Sequence, residues 1–281
     1  MKTRWMIMAL LVAAGMTQAA FVTIGNAGNA ADTTGYGAVG YTYQISATEV
    51  TIAEFMASGA GSGGEDYWND APRTVGTSAP AVNVSLYEAM KYCNYLTSGN
   101  VNDGVYTFSG GVYQSTMSRT AIMAGGLDAV ATDPNKIYAL PTEDEWYKAA
   151  YYTGSGYSLY ADGSGTVPTE GGGATGWNYN YVNSSPNFTR DTALGTTEQN
   201  GTVNMMGNVW EWMEDGARRG GGYGSAASSL GSSGRAHDLG PTDEYGDIGF
   251  RVVAIPEPAT AGLLAGAGLL IAAYRRYFGQ V

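Results

Sequence analysis

The densest set of groups able to bind or react is Asn204-Met205-Met206-Gly207-Asn208-Val209-Trp210-Glu211-Trp212. Asn204 and Glu211 bring side-chain oxygens, and Gly207 lets the backbone turn its carbonyls inward. Several oxygens at about 2.3–2.6 Å suit a calcium ion. The same groups can equally satisfy backbone donors in a tight turn, and the spacing alone leaves both readings open. Trp210 and Trp212 read as anchors, since each indole buries on the order of 200 Å² and its N–H seeks an acceptor. Nucleophilic chemistry has few sources. The segment GGGYGSAASSLGSSGR, from Gly220 to Arg235, offers serines, but a serine needs an adjacent base, most often histidine, and the chain has only His237. Asp243-Glu244 with Asp247 is the one further acidic group of interest. Two carboxylates with separated pKa values can hydrolyse glycosides, yet Pro241, Gly246 and the aspartates themselves make a solvated turn the simpler reading.

Three helices must hold these groups, and they begin with the same device. Thr51-Ile52-Ala53-Glu54, Ser85-Leu86-Tyr87-Glu88 and Thr142-Glu143-Asp144-Glu145 are capping boxes, in which the hydroxyl accepts from the third helical amide and the glutamate reaches back to the cap. The second helix puts Leu86, Ala89, Met90, Cys93 and Leu96 on one stripe, so the single cysteine of the chain reads as a core residue. The third puts Trp146, Ala149 and Ala150 on another. Residues 40–45 alternate like a strand, 104–108 and 111–113 read as a hairpin around Ser109-Gly110, and Gly249 to Ala254 is the last clear strand. Residues 154 to 203 are dominated by Gly, Ser, Thr and Asn, a loop long enough to be either functional or disordered.

The chain has 281 residues and a formal charge of −11, with 14 basic and 25 acidic residues. With no basic stripe, such a surface repels nucleic acid. Glycine reaches 42 residues, about twice the usual ~7 % share, which points to a loop-rich domain shaped by turns and aromatics. One cysteine rules out an internal disulfide framework. Residues 1–19 read as a signal peptide, with Lys2 and Arg4 before an apolar run and Thr17-Gln18-Ala19 at the cleavage point. At the other end, Pro256-Glu257-Pro258 precedes an apolar run, Ala259 to Tyr274, and then Arg275-Arg276. The run is a short span for a hydrocarbon core of ~30 Å, with the arginines on the cytoplasmic side. These three parts in order resemble a PEP-CTERM sorting signal across 255–281. The resemblance implies an exosortase as partner, a membrane stage through the terminal helix, and an exported, surface-sorted protein.

Between the ends, residues 20–254 resemble the formylglycine-generating enzyme, or sulfatase-modifying factor, family. The motif at 204–212 carries the likeness together with Pro80-Ala81-Val82-Asn83-Val84-Ser85, Tyr92-Cys93-Asn94-Tyr95-Leu96, Leu140-Pro141-Thr142-Glu143-Asp144-Glu145-Trp146, Arg219-Gly220-Gly221 and Gly249-Phe250-Arg251. The resemblance implies an α+β fold: one compact, loop-rich domain with a C-type-lectin-like core. It also implies a structural calcium held by the Asn204 side chain, the Gly207 and Val209 carbonyls and the Glu211 carboxylate. Catalytic members hold copper with two cysteines after the Arg-Gly-Gly turn. Here those places fall near Ser225 and Leu230, and neither a hydroxyl nor an isobutyl group replaces a thiolate on Cu(I). A related branch holds iron with three histidines, and this chain has one. The expectation is therefore a non-catalytic module without copper or iron, with no catalytic residues. It would bind a polysaccharide or peptide, or build a surface matrix. The alternative is an enzyme using carboxylates such as Asp243, Glu244 and Asp247.

Overall fold

The computed structural model describes residues 20–61, 78–133, 135–183 and 189–255. The expected signal peptide at 1–19 and the sorting tail from Pro256 onward lie outside those residues. Among the described residues, no helix is long and apolar enough to cross a membrane.

The three capping boxes form as read. Thr51 opens α1 (Ile52–Ser58), Ser85 opens α2 (Leu86–Ser98) and Thr142 opens α4 (Glu143–Tyr151), each with the reciprocal pair of cap bonds. Gly59 and Gly99 end α1 and α2 in the left-handed conformation that glycine adopts without a Cβ penalty. Between α2 and α4 lie a hairpin, β3 (Tyr106–Ser109) with β4 (Val112–Thr116), then α3 (Arg119–Met123) and β5 (Ile137–Ala139). The hairpin turns at Gly110-Gly111, both with positive φ, one residue beyond the expected place.

Two sheets organise the rest. β1 (Phe21–Ile24), β2 (Tyr43–Ser46), β9 (Val253–Ile255) and β5 form an antiparallel sheet in the order β1-β2-β9-β5, with Ile45 opposite Val253. The first and last stretches of the domain are thus fixed to one another. The second sheet has the order β7-β6-β8, from β7 (Arg218–Arg219), β6 (Trp210–Trp212) and β8 (Ile248–Gly249). The single strand expected over 249–254 is therefore two strands in two sheets. The break lies at Phe250-Arg251-Val252, where Arg251 turns into the interior toward a carboxylate on β6 and Phe250 accepts from the Val50 amide.

α2 packs on β5 and α1, and an aromatic triad of Phe55, Tyr92 and Phe250 fills the space between helices and sheet, with ring centroids 5.4–6.0 Å apart. Cys93 is fully buried there, and burial raises its thiol pKa well above the usual value. It is the core residue that its stripe predicts.

Candidate functional site

The 204–212 motif forms a buried turn leading into β6. Asn204 and Asn208 take left-handed φ of 60° and 62°, which asparagine tolerates better than other side chains, and Gly207 does the same at 78°. The Gly207 amide donates to the Gly220 carbonyl at 2.9 Å, which fastens the motif to the Arg-Gly-Gly turn. Trp212 donates from Nε1 to the Val84 carbonyl at 2.9 Å, and Trp146 of α4 donates from Nε1 to Glu211 at 2.6 Å.

Two of the four predicted calcium ligands, the Asn204 and Glu211 side chains, are engaged by guanidinium groups of the chain. Glu211 spends both oxygens on Arg251, whose Nε and Nη2 each donate at 2.7 Å, and both side chains are fully buried. The Arg251 head is further ringed by the carbonyls of Ser46, Ala47 and Val203 at 3.0–3.2 Å. Asn204 Oδ1 accepts from Arg190 Nε at 3.1 Å and Nη2 at 2.5 Å, while the same guanidinium reaches the carbonyls of Gly171 and Gly176. The Val209 side chain is buried in the core. Arg190 thus stands before the Asn204 oxygen and Arg251 before both Glu211 oxygens, where the sequence suggests a metal. The donor set has been used internally, because a planar fork of N–H groups matches carboxylate and carbonyl oxygens directly.

Two more carboxylates lie in this interior. Glu49 accepts from the Nδ2 atoms of Asn208 at 2.8 Å and Asn204 at 3.2 Å. Glu198 accepts from Trp177 Nε1, Thr202 Oγ1 and the Met205 amide. Burial raises both, and it pushes Glu198 up to about 7 against the opposing pull of Arg251. A carboxyl whose pKa is higher in the fold than in the unfolded chain stabilises fully below its unfolded value and loses that contribution as pH rises through its folded value. Thermal melts should therefore show a transition several degrees lower at pH 8.5 than at pH 5.5, and Glu198→Gln should flatten that slope. A melting temperature that rises across this window would contradict the assignment.

The Gly220–Arg235 segment has its own anchor. Arg219 is buried between the rings of Tyr36 and Tyr147, with its guanidinium 4.6 and 5.0 Å from their centroids. It donates to Glu143 at 2.7 Å and to the Ser232 and Gly234 carbonyls at 3.0 Å, so it binds the far end of the loop to the first turn of α4. Gly220, at φ 91°, permits this close approach, since a Cβ there would lie 2.9 Å from the Met205 carbonyl oxygen. Within the loop, Ser225 Oγ accepts from the Gly222 amide at 2.9 Å. Leu230 is fully buried, and its carbonyl accepts from Tyr151 Oη at 2.9 Å. The two places read as successors of metal-binding thiolates are thus a turn hydroxyl and a core side chain.

Acidic groups of α4 and of the turn after β6 line a cleft of about 270 Å³ with Tyr36 and Thr142; they are Glu143, Asp144, Glu214 and Asp215. Sequence reading missed this cleft, and the acid run Glu143-Asp144-Glu145 was its only signal. Each carboxylate already has a partner in the chain. Glu143 pairs with Arg219 and Arg235, Asp144 accepts from the Gly37 amide, Glu214 accepts from Tyr106 and Arg119, and Asp215 accepts from the Ala217 amide. Burial raises Asp144 and Glu214, the latter opposed by Arg119. The Asp243 cluster behaves as a turn, with Asp243 accepting from the Gly240 amide at 2.8 Å. Asp247 is raised by burial, and its carbonyl accepts from the Trp210 amide. His237 is exposed, its Nε2 3.2 Å from the Asp215 carbonyl.

A family model described as the sulfatase-modifying factor enzyme 1-like domain matches residues 16–255. Among solved structures, the chain is similar to Treponema denticola variable protein 1, with 22% identity, coverage of 84% of this chain and 95% of that one, and a TM-score of 0.58. It is also similar to CarF, with 22% identity, 86% and 100% coverage and a TM-score of 0.56. PvdO from Pseudomonas aeruginosa follows with 17% identity, 84% and 92% coverage and a TM-score of 0.51. No curated protein matches the chain. At these identities the structural likeness is one of fold.

Proposed function

We propose that this chain, which belongs to the sulfatase-modifying factor enzyme 1-like family, is a ligand-binding module that does not carry out copper-dependent cysteine oxidation. The observation that carries this reading is the fate of the two thiolate places. Cu(I) needs soft sulfur ligands, and this chain puts a turn-forming Ser225 and a core Leu230 where they are expected. Its one cysteine, Cys93, is buried on α2 and serves packing. Binding is the function that remains for a family scaffold with long surface loops and exposed aromatics such as Tyr181 and Tyr245.

The reading extends to location. The signal-peptide pattern at 1–19 and the Pro-Glu-Pro tail, 255–281, support an exported protein handed to an exosortase and sorted to the cell surface, with Arg275-Arg276 holding the apolar run of the tail during export. The purified protein, supplied with copper and a cysteine-containing peptide of the sulfatase type, should leave that peptide unchanged in mass. Stoichiometric conversion of the peptide cysteine to formylglycine would end the proposal.

A further inference from the structure

We infer that Tyr181 and Tyr223 form a stacking platform for the sugar rings of an uncharged polysaccharide, an inference that rests on the ligand-binding reading above and names its ligand class. The observation is a conformational one. Asn180 and Tyr181 are consecutive non-glycine residues in the left-handed region, at φ 53° and 57°. For a bulky side chain that backbone is a true outlier, and such outliers persist only where surrounding bonds dictate them. Here they do. The Asn180 amide donates to the Ser225 carbonyl at 3.0 Å and the Tyr181 amide to the Tyr223 carbonyl at 2.8 Å. Tyr223 in turn donates from its amide to the Asn208 carbonyl at 2.8 Å. The turn is bolted to the 220–235 loop and, through Asn208, to the 204–212 motif.

What this strained turn presents is an aromatic ring. Tyr181 is 62% exposed, so the strain is not offset by burying the side chain in the core. Its ring lies over Gly224, where a Cβ would come within 2.7 Å of Cζ and Oη. Tyr223 stands edge-on to it, with centroids 6.0 Å apart and planes at 65°. Gly222 keeps the floor low beside Trp210, since a Cβ there would lie 3.2 Å from Trp210 Cδ1. At the rim, Asn180 Nδ2 donates to Glu170 Oε1 at 2.9 Å, both residues exposed. That pair offers a donor and acceptors in a fixed orientation.

These features match the chemistry of a pyranose. One face of the sugar ring carries C–H groups that pack on an aromatic face, while its hydroxyls need donors and acceptors at the edge. No arginine or lysine is among the groups that shape the platform, and the chain carries a net charge of −11, so an uncharged glycan is favoured over an acidic one.

The test uses the full-length purified protein and a panel of cello-, malto-, manno- and xylo-hexaoses, with a panel of random hexapeptides beside it. At least one hexaose should bind, and Tyr181→Ala and Tyr223→Ala should each weaken it at least tenfold. Tyr181→Gly separates function from folding, because glycine adopts the left-handed backbone freely. It should lose binding to the same degree while melting within about 2 °C of wild type. If that variant melts far lower, Tyr181→Asn gives the same comparison with a side chain that tolerates this backbone. Absence of hexaose binding, or binding undiminished in the tyrosine variants, overturns the inference. Peptide binding without hexaose binding overturns it too, while leaving the ligand-binding reading intact.

Discussion

Glu211→Ala should lower the stability of the fold by about 3–5 kcal/mol, and by the same amount in calcium buffer and in chelator. The cost follows from what is left behind. Arg251 is fully buried and donates two charge-assisted bonds to Glu211, and removing one member of a buried pair leaves an uncompensated interior charge. Trp146 Nε1 loses its acceptor as well. A calcium ligand behaves otherwise: an ion that binds only the folded state stabilises it by mass action, so losing a ligand costs more in calcium than in chelator. Thermal or urea unfolding of both proteins in both buffers makes the distinction. A loss confined to the calcium buffer would restore Glu211 to the metal role expected from its spacing.

Leu230→Ala should cost about 3 kcal/mol, in the range for truncating a large aliphatic residue in a packed core. The side chain is fully buried and its carbonyl receives Tyr151, itself fully buried against Trp146 and Tyr147. The cavity would open beside the aromatic layer of α4, so the 220–235 loop should loosen with it. An unchanged urea midpoint would mean that the position is a solvent-accessible vestige of a reactive site, contrary to the packing found here. Hydrogen exchange at the amides of residues 222–234 gives a second readout, with faster exchange expected in the variant.

What the sequence made legible was local. Thr51, Ser85 and Thr142 with their glutamates three residues on define helix starts through bonds that span a single turn, and all three form. The stripe that places Cys93 in the core is likewise a property of one helix. The interior ion pairs were not legible, because Glu211–Arg251 joins residues 40 apart and Arg190–Asn204 joins a loop to a turn, with no periodicity to connect them. The guanidinium partners of the expected calcium ligands Asn204 and Glu211 lay in that gap. An asparagine and a glutamate at the right spacing look the same whether a metal or a guanidinium stands before them, and only the partner decides. β1 was missed for a related reason: Phe21-Val22-Thr23-Ile24 is too short to announce itself, and its pairing with β2 supplies the missing information. The strand split at Phe250-Arg251 shows tertiary demand overriding a strand pattern, since a buried arginine had to meet its carboxylate. The left-handed backbone of Tyr181 has no sequence signal, as tyrosine is a poor candidate for that conformation.

The central claim is that the loop after the Arg-Gly-Gly turn is packing and binding surface, with no soft-metal centre in it. Titration of the purified protein with Cu(I) against a competing chromophoric chelator tests it most directly. The account predicts that the chelator keeps the copper and that elemental analysis of the recovered protein finds far less than one copper per chain. One tightly held Cu(I) per chain, retained when Cys93 is changed to alanine, would contradict it.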